Sequence, residues 1–127
     1  MFGGRWNSPG RSVIYTATSL AGAKLELLAQ GGGFGLLPKG YSYVTIIVPE
    51  QVAVIRYPYR NPPRQEQASQ LYGDEWMDSS ASLILLVPSA ASPGDWNGLI
   101  NPAHSDFPLL SISKEYKVKW DKRHFKS

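Results

Sequence analysis

The pattern of apolar and polar positions along this chain predicts several short strands. Most of these runs alternate between apolar and polar side chains or are rich in β-branched residues, as expected of strands with one buried face. One run, Leu-Ile-Leu-Leu-Val, is apolar throughout and predicts a central strand that Pro88 ends. The predicted strands lie at residues 12–16, 43–48, 52–57, 82–87 and 116–120.

Two further segments have the pattern of helices. Thr18 or Ser19 can cap a helix that runs to about Gln30. Leu20, Leu27 and Leu28 share one face of this helix and are expected to pack inward. Residues 65–79 have helical composition, although Gly73 weakens the middle of the segment. Several strands combined with two helices predict an α+β fold.

Length and composition describe one globular domain. With 127 residues, of which 43% are hydrophobic, the chain is long enough for one core and too short for two. No apolar run approaches the roughly 18 residues of a membrane span, and the N-terminus lacks the basic lead and apolar stretch of a signal peptide. We therefore expect a soluble, cytoplasmic protein without membrane contact.

The cysteine and histidine content limits the metal sites that the chain can form, and the positive charge is unevenly distributed. The chain has no cysteine, and its two histidines, His104 and His124, are too few for most zinc sites, so no metal is expected. The net charge of +3 is concentrated in residues 114–127, which carry six of the 13 lysines and arginines. There Tyr116 and Trp120 alternate with lysines, a pattern that predicts a half-buried edge strand.

Three polar side chains near the start of the chain suit the three parts of a dinucleotide such as NAD. Arg5 lies in a Gly-Gly-Arg-Trp-Asn turn, Tyr15 in the first predicted strand and Glu26 in the first predicted helix. A guanidinium binds phosphate oxygens, a phenol can lie against a flat ring, and a carboxylate stabilises developing positive charge. On spacing alone, three ordinary residues are the simpler interpretation.

Glu26 has neighbours that favour a functional role. The residues four and three positions before it are Gly22 and Ala23, whose small side chains leave room for a ligand to approach the carboxylate. A solvated surface glutamate is the alternative interpretation.

Longer strings carry more information than these single residues. Two of the strings, an octapeptide beginning at Gly3 and a Leu-Ile-Asn-Pro segment beginning at Leu99, are unusual, and finding both in order is far less expected by chance than one short motif. The strings Val-Ile-Tyr-Thr-Ala, Leu-Glu-Leu-Leu and Val-Pro-Ser-Ala lie between them. Over nearly its whole length the chain resembles RES-domain proteins, and we take residues 1–127 as one RES domain.

The resemblance implies a fold, an activity and a partner. RES domains are toxins of bacterial toxin–antitoxin pairs, and their fold is similar to that of ADP-ribosyltransferases, with antiparallel sheets forming a central cleft and helices on its flanks. They consume NAD or transfer ADP-ribose from it, so NAD is the expected substrate. The expected partner is a helix-turn-helix antitoxin of the Xre/Cro type, through which any contact with nucleic acid would be indirect.

The resemblance also implies roles for individual residues. Arg5 would pair with the pyrophosphate of NAD, and Tyr15 would stack against the nicotinamide or its ribose. Glu26 would stabilise the oxocarbenium character of the ribose or orient the nucleophile. Ser89, which follows Pro88 at a strand end, would contact the ligand, although without the resemblance a turn hydrogen bond explains it better.

One feature departs from the family pattern. RES domains usually begin with a further segment, a first strand whose arginine also meets the cofactor, whereas this chain begins at Met1 directly before the glycine pair. We expect that segment to be missing, through a shortened gene product, a misplaced start or a family member that manages without it. A shortened gene product or a misplaced start would leave an unpaired sheet edge and an incomplete phosphate-binding site.

Four other residues invite a functional interpretation but are predicted to be structural. Asn101 precedes Pro102, where an asparagine often stabilises a turn, and His104 has no serine or acidic residue at a recognisable spacing. Trp6 and Trp76 could line the cleft, although large aromatic residues more often belong to the core.

The sequence leaves several functions open. Hydrolysis of NAD, its phosphorolysis and transfer of ADP-ribose to a host protein differ in the acceptor, which loops around the cleft specify. The chain could also be a non-catalytic RES remnant that only binds its antitoxin, or a basic surface that contacts RNA through Tyr116, Trp120 and the tail lysines. The oligomeric state is open as well, and a homo-oligomer is one alternative.

Overall fold

The computed structural model describes residues 5–24 and 41–119 of the chain. The first helix, α1, begins at Leu20, and its described part covers residues 20–24. The other elements of the described ranges, in chain order, are β1 (Ile14–Ala17), β2 (Ser42–Tyr43), β3 (Ile46–Ile47), β4 (Val54–Arg56), α2 (Glu66–Ser79), β5 (Ile84–Pro88), β6 (Trp96–Ile100), a 3-10 helix (Phe107–Leu109), β7 (Ser111–Ile112) and β8 (Tyr116–Lys117). This mixture of helices and sheets confirms the predicted α+β class.

A four-stranded sheet with the order β1–β6–β5–β4 forms the centre of the fold. β6 pairs antiparallel with both β1 and β5, whereas β4 and β5 are parallel, a departure from wholly antiparallel sheets. The registers set Tyr15 opposite Leu99 and Leu99 opposite Leu85, so these three residues share one face of the sheet. Ile14 and Ile100, which are also paired, lie on the other face.

The sequence does not predict β6, although this strand lies inside the main sheet. Its residues are Trp-Asn-Gly-Leu-Ile, and asparagine and glycine are depleted in strands. The hydroxyl of Thr16 on β1 donates to the Gly98 carbonyl at 2.8 Å, and a Cβ on Gly98 would lie 2.8 Å from the Thr16 oxygen. Glycine at position 98 therefore leaves room for the Thr16 side chain, and the local pattern does not reveal such a tertiary contact.

The single strand predicted at 43–48 is wrong, because the structure divides it into β2 and β3. β2 pairs with β8 and β3 pairs with β7, forming two separate two-stranded sheets. Between them the Thr45 N–H donates to Ser113 Oγ, and the Ser113 N–H donates to the Thr45 carbonyl, both at 2.9 Å. The Ser113 hydroxyl thus takes the place of a backbone acceptor between β2, which pairs with β8, and β3, which pairs with β7. β8 confirms the start of the strand predicted at 116–120, and Trp120 lies outside the described residues.

Ser19 caps α1. Its hydroxyl accepts a hydrogen bond from the Gly22 N–H at 3.0 Å, as a helix N-cap residue does. Thr18, the alternative cap, instead donates its hydroxyl to the Trp96 carbonyl at 2.9 Å and ties the start of the helix to β6. The rest of the helix predicted to run to Gln30 lies outside the described residues.

α2 packs against the face of the main sheet that carries Leu85 and Leu99. Trp6 is 2% exposed and packs edge-on against Tyr57, with ring centroids 5.0 Å apart. The indole N–H of Trp76 is satisfied by the Ser82 hydroxyl at 2.9 Å. Both tryptophans therefore lie in the core, as the commoner role of large aromatics predicts. The buried residues of this core are Trp6, Tyr57, Trp76, Leu85, Val87 and Leu99.

Candidate functional site

Residues 5–11 lie along α2, and this contact positions the turn of the candidate site. The Trp6 carbonyl oxygen approaches the helix so closely that a Cβ on Gly73 would lie 1.7 Å from it. The Ser8 N–H donates to the Asp74 carboxylate at 3.1 Å. Gly73, a weak point of the helix by propensity, is therefore the residue that lets the turn meet the helix backbone.

Arg11 strengthens this contact with ion pairs. Its Nε lies 3.2 Å from the Asp74 carboxylate, and its two Nη atoms lie 2.6 and 3.2 Å from the Asp78 carboxylate. The hydrogen bond from Arg11 lowers the pKa of the Asp78 carboxyl, and the same bond raises the pKa of the Arg11 guanidinium. The charge of Arg11 is therefore balanced within the protein.

Arg5 differs from Arg11 because no carboxylate pairs with it among the described residues. Its Nη2 donates to the Pro63 carbonyl at 3.2 Å, and its Nε is buried without a hydrogen-bond partner. The remaining Nη hydrogens of this half-buried arginine can donate to an anionic ligand. The turn thus presents a cation of the kind that binds phosphate.

Tyr15 connects β1 to the turn that carries Arg5. Its hydroxyl accepts a hydrogen bond from the Trp6 N–H at 3.1 Å and donates to Asn7 Oδ1. Burial raises the pKa of the Tyr15 phenol, so the group stays neutral and keeps the proton that it donates. The residue is 43% exposed, so part of its surface remains open to a ligand. The structure therefore brings Arg5 and Tyr15 together through the backbone of the turn.

Asn7 is a residue of this site that the sequence interpretation missed. It is 2% exposed, accepts the Tyr15 hydroxyl proton, and donates its amide to the Ser8 and Arg11 carbonyls at 3.2 and 3.4 Å. An asparagine at the start of Asn-Ser-Pro-Gly is a turn signal, because its side chain can bond to nearby backbone groups. That signal was the available indication that Asn7 shapes the turn.

Ser89 is placed in a turn at the end of β5. Its hydroxyl accepts a hydrogen bond from the Ser92 N–H at 3.0 Å, and its own N–H donates to the Asp95 carbonyl at 2.9 Å. Leu85, which is level with Tyr15 across the sheet, precedes Ser89 by four residues, or roughly 13 Å of strand. The structure therefore does not set Ser89 beside Tyr15, and a ligand touching both would have to extend along the sheet.

Glu26 lies outside the described residues, so its assigned role stays a prediction. The described start of α1 shows that Gly22, four residues before it, is buried, and that a Cβ there would lie 3.2 Å from Ser19 Oγ. The small residue at this position therefore has a packing explanation that does not depend on a ligand.

Asn101 and His104 are structural, as predicted. Asn101 is 3% exposed and its Oδ1 accepts the Ala103 N–H at 3.1 Å, which forms a turn. His104 Nδ1 accepts the Asp106 N–H at 3.0 Å, so we assign the ring proton to Nε2, which lies 3.2 Å from the Ser80 carbonyl. Both ring nitrogens are thus used within the fold.

A cavity of about 820 Å³ lies on the face of the main sheet opposite the Trp6 core. Tyr15 contributes to its lining, whereas Arg5 and Ser89 do not, and its described lining contains no charged side chain. Leu20 lines this cavity and is 40% exposed, so the prediction that this leucine packs inward is wrong. The lining includes Ile14, Thr16, Val54, Ile84, Leu86 and Ile100.

The described residues contain neither a metal-binding cluster nor a membrane-spanning helix. No group of three or more histidine, aspartate or glutamate side chains is placed to hold a metal ion within 5–24 and 41–119. No helix in the same ranges combines the length and the apolar character needed to cross a bilayer.

Tyr116, the described aromatic residue of the alternative RNA surface, contacts side chains of neighbouring strands and loops. Tyr43 stacks on Tyr116 with centroids 5.5 Å apart and planes at 22°, and Lys114 Nζ lies 5.1 Å from the centre of the Tyr116 ring. Tyr43 and Tyr116 are paired across β2 and β8, and cross-strand pairs of this kind stabilise a two-stranded sheet. They do not distinguish an RNA surface from an ordinary one.

Comparison with known proteins places the chain in a family. A model of the RES domain matches residues 1–121. A Sphingobium protein named "Prs ADP-ribosylating toxin" is 36% identical over 129 residues, covering 95% of this chain and 80% of the relative. Proteins named "Toxin Res" from Photorhabdus laumondii and Pseudomonas putida are 35% and 34% identical, covering 84% and 88% of this chain and 71% and 79% of the relatives. The chain therefore belongs to the RES domain family.

Proposed function

We propose that this chain is a toxin that breaks the bond between nicotinamide and ribose in NAD, by hydrolysis or phosphorolysis. The observation that carries the proposal is the state of Arg5, a half-buried guanidinium with a buried, unpartnered Nε and no carboxylate partner among the described residues. The pyrophosphate of NAD supplies the anion that such a group lacks. Membership of the RES family and relatives named as toxins support the same reaction class.

In this proposal the residues divide the work between binding and chemistry. Arg5 binds the pyrophosphate, and the exposed part of the Tyr15 ring lies against the nicotinamide ribose. Ser89 contacts a more distant part of an extended dinucleotide, in keeping with its separation along the sheet. The turn is held by Asn7 and Tyr15, so the cation and the ring keep a constant relative position.

The bond change is a substitution at the ribose anomeric carbon. The C–N bond breaks and nicotinamide leaves with the electron pair as a neutral molecule, while an oxygen of water or phosphate bonds to the carbon. Glu26 stabilises the oxocarbenium character of the ribose as the bond breaks. When water is the nucleophile, the Glu26 carboxylate accepts its proton.

The test is release of nicotinamide from NAD by the purified chain, measured by chromatography with and without phosphate. We expect Glu26→Gln to keep the fold and to lower turnover by about 10² to 10⁴, because the carboxylate charge is lost. Arg5→Lys should raise the KM for NAD, since lysine cannot reproduce the forked hydrogen bonds. Near-normal nicotinamide release by the Glu26 variant would rule out its assigned role.

Transfer of ADP-ribose to a host protein is the second candidate, and one relative's name favours it. The same bond breaks in both reactions, and a protein nucleophile takes the place of water or phosphate. Labelled NAD separates the two, because transfer leaves the label on a protein whereas hydrolysis leaves it on free ADP-ribose. A chain that binds an antitoxin but releases no nicotinamide would instead be a non-catalytic RES remnant.

The proposal includes a partner and a location. A toxin that consumes NAD must be restrained in its own cell, so we propose a cytoplasmic protein bound by a helix-turn-helix antitoxin of the Xre/Cro type. Any contact with nucleic acid then passes through the antitoxin. Co-expression of the two proteins should restore growth and NAD levels that the toxin alone depletes.

A further inference from the structure

Two buried side-chain polar atoms in the described part of the chain have no hydrogen-bond partner. They are Arg5 Nε and Ser69 Oγ. Ser69 lies on α2 and is 0% exposed, so its hydroxyl has no access to solvent. A buried hydroxyl without a partner destabilises a folded protein, because its bonds to water are lost and not replaced. Departures of this kind from good packing concentrate at functional sites.

Both atoms belong to the interface between the turn and α2. Arg5 donates to the Pro63 carbonyl just before the helix, and the Trp6 carbonyl contacts Gly73 within it. Ser69 lies four residues before Gly73 on the same helix face, so it falls between these two contacts. Ser69 therefore lies on the face of α2 that meets the turn, and its side chain is fully buried.

We propose that Ser69 is a positioning residue for Arg5, whose Nε–H it accepts when the guanidinium binds an anionic substrate. This inference rests on the proposed function, in which the anion is the pyrophosphate of NAD. A serine hydroxyl oxygen accepts hydrogen bonds as well as donating one, so Ser69 Oγ can accept the Nε–H of Arg5. With the Pro63 carbonyl and Ser69 holding two of its donors, Arg5 directs its remaining Nη hydrogens at the phosphates.

The substitution Ser69→Ala tests this role because it should change two measurements in opposite directions. The free protein should melt about 2 to 5 °C higher, since an unsatisfied buried hydroxyl is removed. Affinity for ADP-ribose should fall about ten-fold, since Arg5 Nε loses its acceptor in the bound state. ADP-ribose is the probe because it carries the pyrophosphate and has no nicotinamide bond to break.

Ser82→Ala is the matched control. Ser82 is also 0% exposed, but its hydroxyl accepts the Trp76 indole N–H at 2.9 Å and donates to the Ile84 carbonyl at 2.7 Å. Its loss should lower the melting temperature and leave ADP-ribose affinity unchanged, because both partners belong to the core. Ser69→Thr, which restores a hydroxyl, should recover ADP-ribose affinity relative to Ser69→Ala.

A spectroscopic signal keeps the test independent of stability. In ¹⁵N-resolved NMR spectra the Arg5 Nε–H should exchange more slowly with water when ADP-ribose is added to the wild type, and not in Ser69→Ala. Unchanged ADP-ribose affinity and an unchanged Nε–H signal in Ser69→Ala, with affinity lost in Arg5→Lys, would overturn the role of Ser69 and leave the proposed function standing. A wild type that neither binds ADP-ribose nor releases nicotinamide would overturn both.

Discussion

At the scale of single residues, Tyr15 has a second role beside the ring contact that the family resemblance implies. Its hydroxyl joins the Trp6 N–H to the Asn7 side chain and so holds the turn in which Arg5 lies. Stacking needs only the ring, whereas this bridge needs the hydroxyl. A single substitution separates the two roles.

Tyr15→Phe keeps the ring and removes the bridge. We expect a loss of about 1 to 3 kcal/mol in the free energy of unfolding, because the Trp6 N–H and Asn7 Oδ1 lose their partner, and a kcat/KM for NAD lower by roughly ten-fold, because the turn is less well held. Urea unfolding and nicotinamide release measure these effects. Tyr59→Phe, at a ring that is 67% exposed, is the control. Wild-type behaviour of Tyr15→Phe would leave stacking as its role.

At the scale of elements, the contact between the turn and α2 depends on the absence of a side chain. Helix propensity treats Gly73 as a defect, since glycine destabilises a helix by about 1 kcal/mol relative to alanine. In the fold this position is where the Trp6 carbonyl meets the helix backbone. Helix propensity therefore predicts that replacing Gly73 by alanine raises stability, whereas the tertiary contact predicts that it lowers stability.

Gly73→Ala should lower stability despite its better helix propensity. A Cβ would lie 1.7 Å from the Trp6 carbonyl oxygen, a backbone atom that no rotamer change can move, so the turn must shift. We expect a loss of about 3 kcal/mol in urea unfolding, together with weaker ADP-ribose binding because Arg5 moves with the turn. Leu71→Ala, at a 60% exposed position of the same helix, should have little effect on either. A stabilised Gly73→Ala protein would contradict this account.

At the scale of the whole molecule, the candidate residues are spread along the fold. Arg5 and Tyr15 meet at the turn beside α2, Ser89 lies roughly 13 Å further along the sheet, and the cavity lies on the other face. Stability likewise depends on contacts between distant parts of the chain, because Arg11 near the N-terminus pairs with Asp78 on α2. Two groups in such contacts, the Tyr15 phenol and the Asp78 carboxyl, have shifted pKa values.

Stability should be constant at intermediate pH and should fall at both alkaline and acid pH. The pKa of Tyr15 is raised by burial, so the unfolded chain loses this proton first and stability falls as pH rises above about 10. The pKa of Asp78 is lowered by Arg11, so its contribution is present above about pH 4 and is lost as pH falls through the lowered value. Tyr15→Phe should flatten the alkaline limb measured by urea unfolding. Asp78→Asn should change the acid limb only slightly, since that pair is exposed and screened.

The local sequence pattern was sufficient to predict the elements that depend on residues close together in sequence. The segment 65–79, predicted from its helical composition, forms α2, the apolar run before Pro88 forms β5, and a serine caps α1 as its chemistry predicts. The short strings around Arg5 and Asn101 were sufficient for the family, and the domain model agrees over residues 1–121. These features depend on neighbours in sequence, which a single chain displays directly.

Tertiary structure alone decided the rest, because the partners involved are far apart in sequence. β6 is a strand because Thr16 and β5 pair with it, and the predicted 43–48 strand divides because its two ends pair with different strands. The bond between Arg5 and Pro63 spans 58 residues, and no periodicity encodes it. The enclosed hydroxyl of Ser69 likewise becomes visible only when α2 covers the turn. Sequence determined which side chains this RES-domain protein carries, and folding determined which of the described polar side chains find a partner within the protein and which do not.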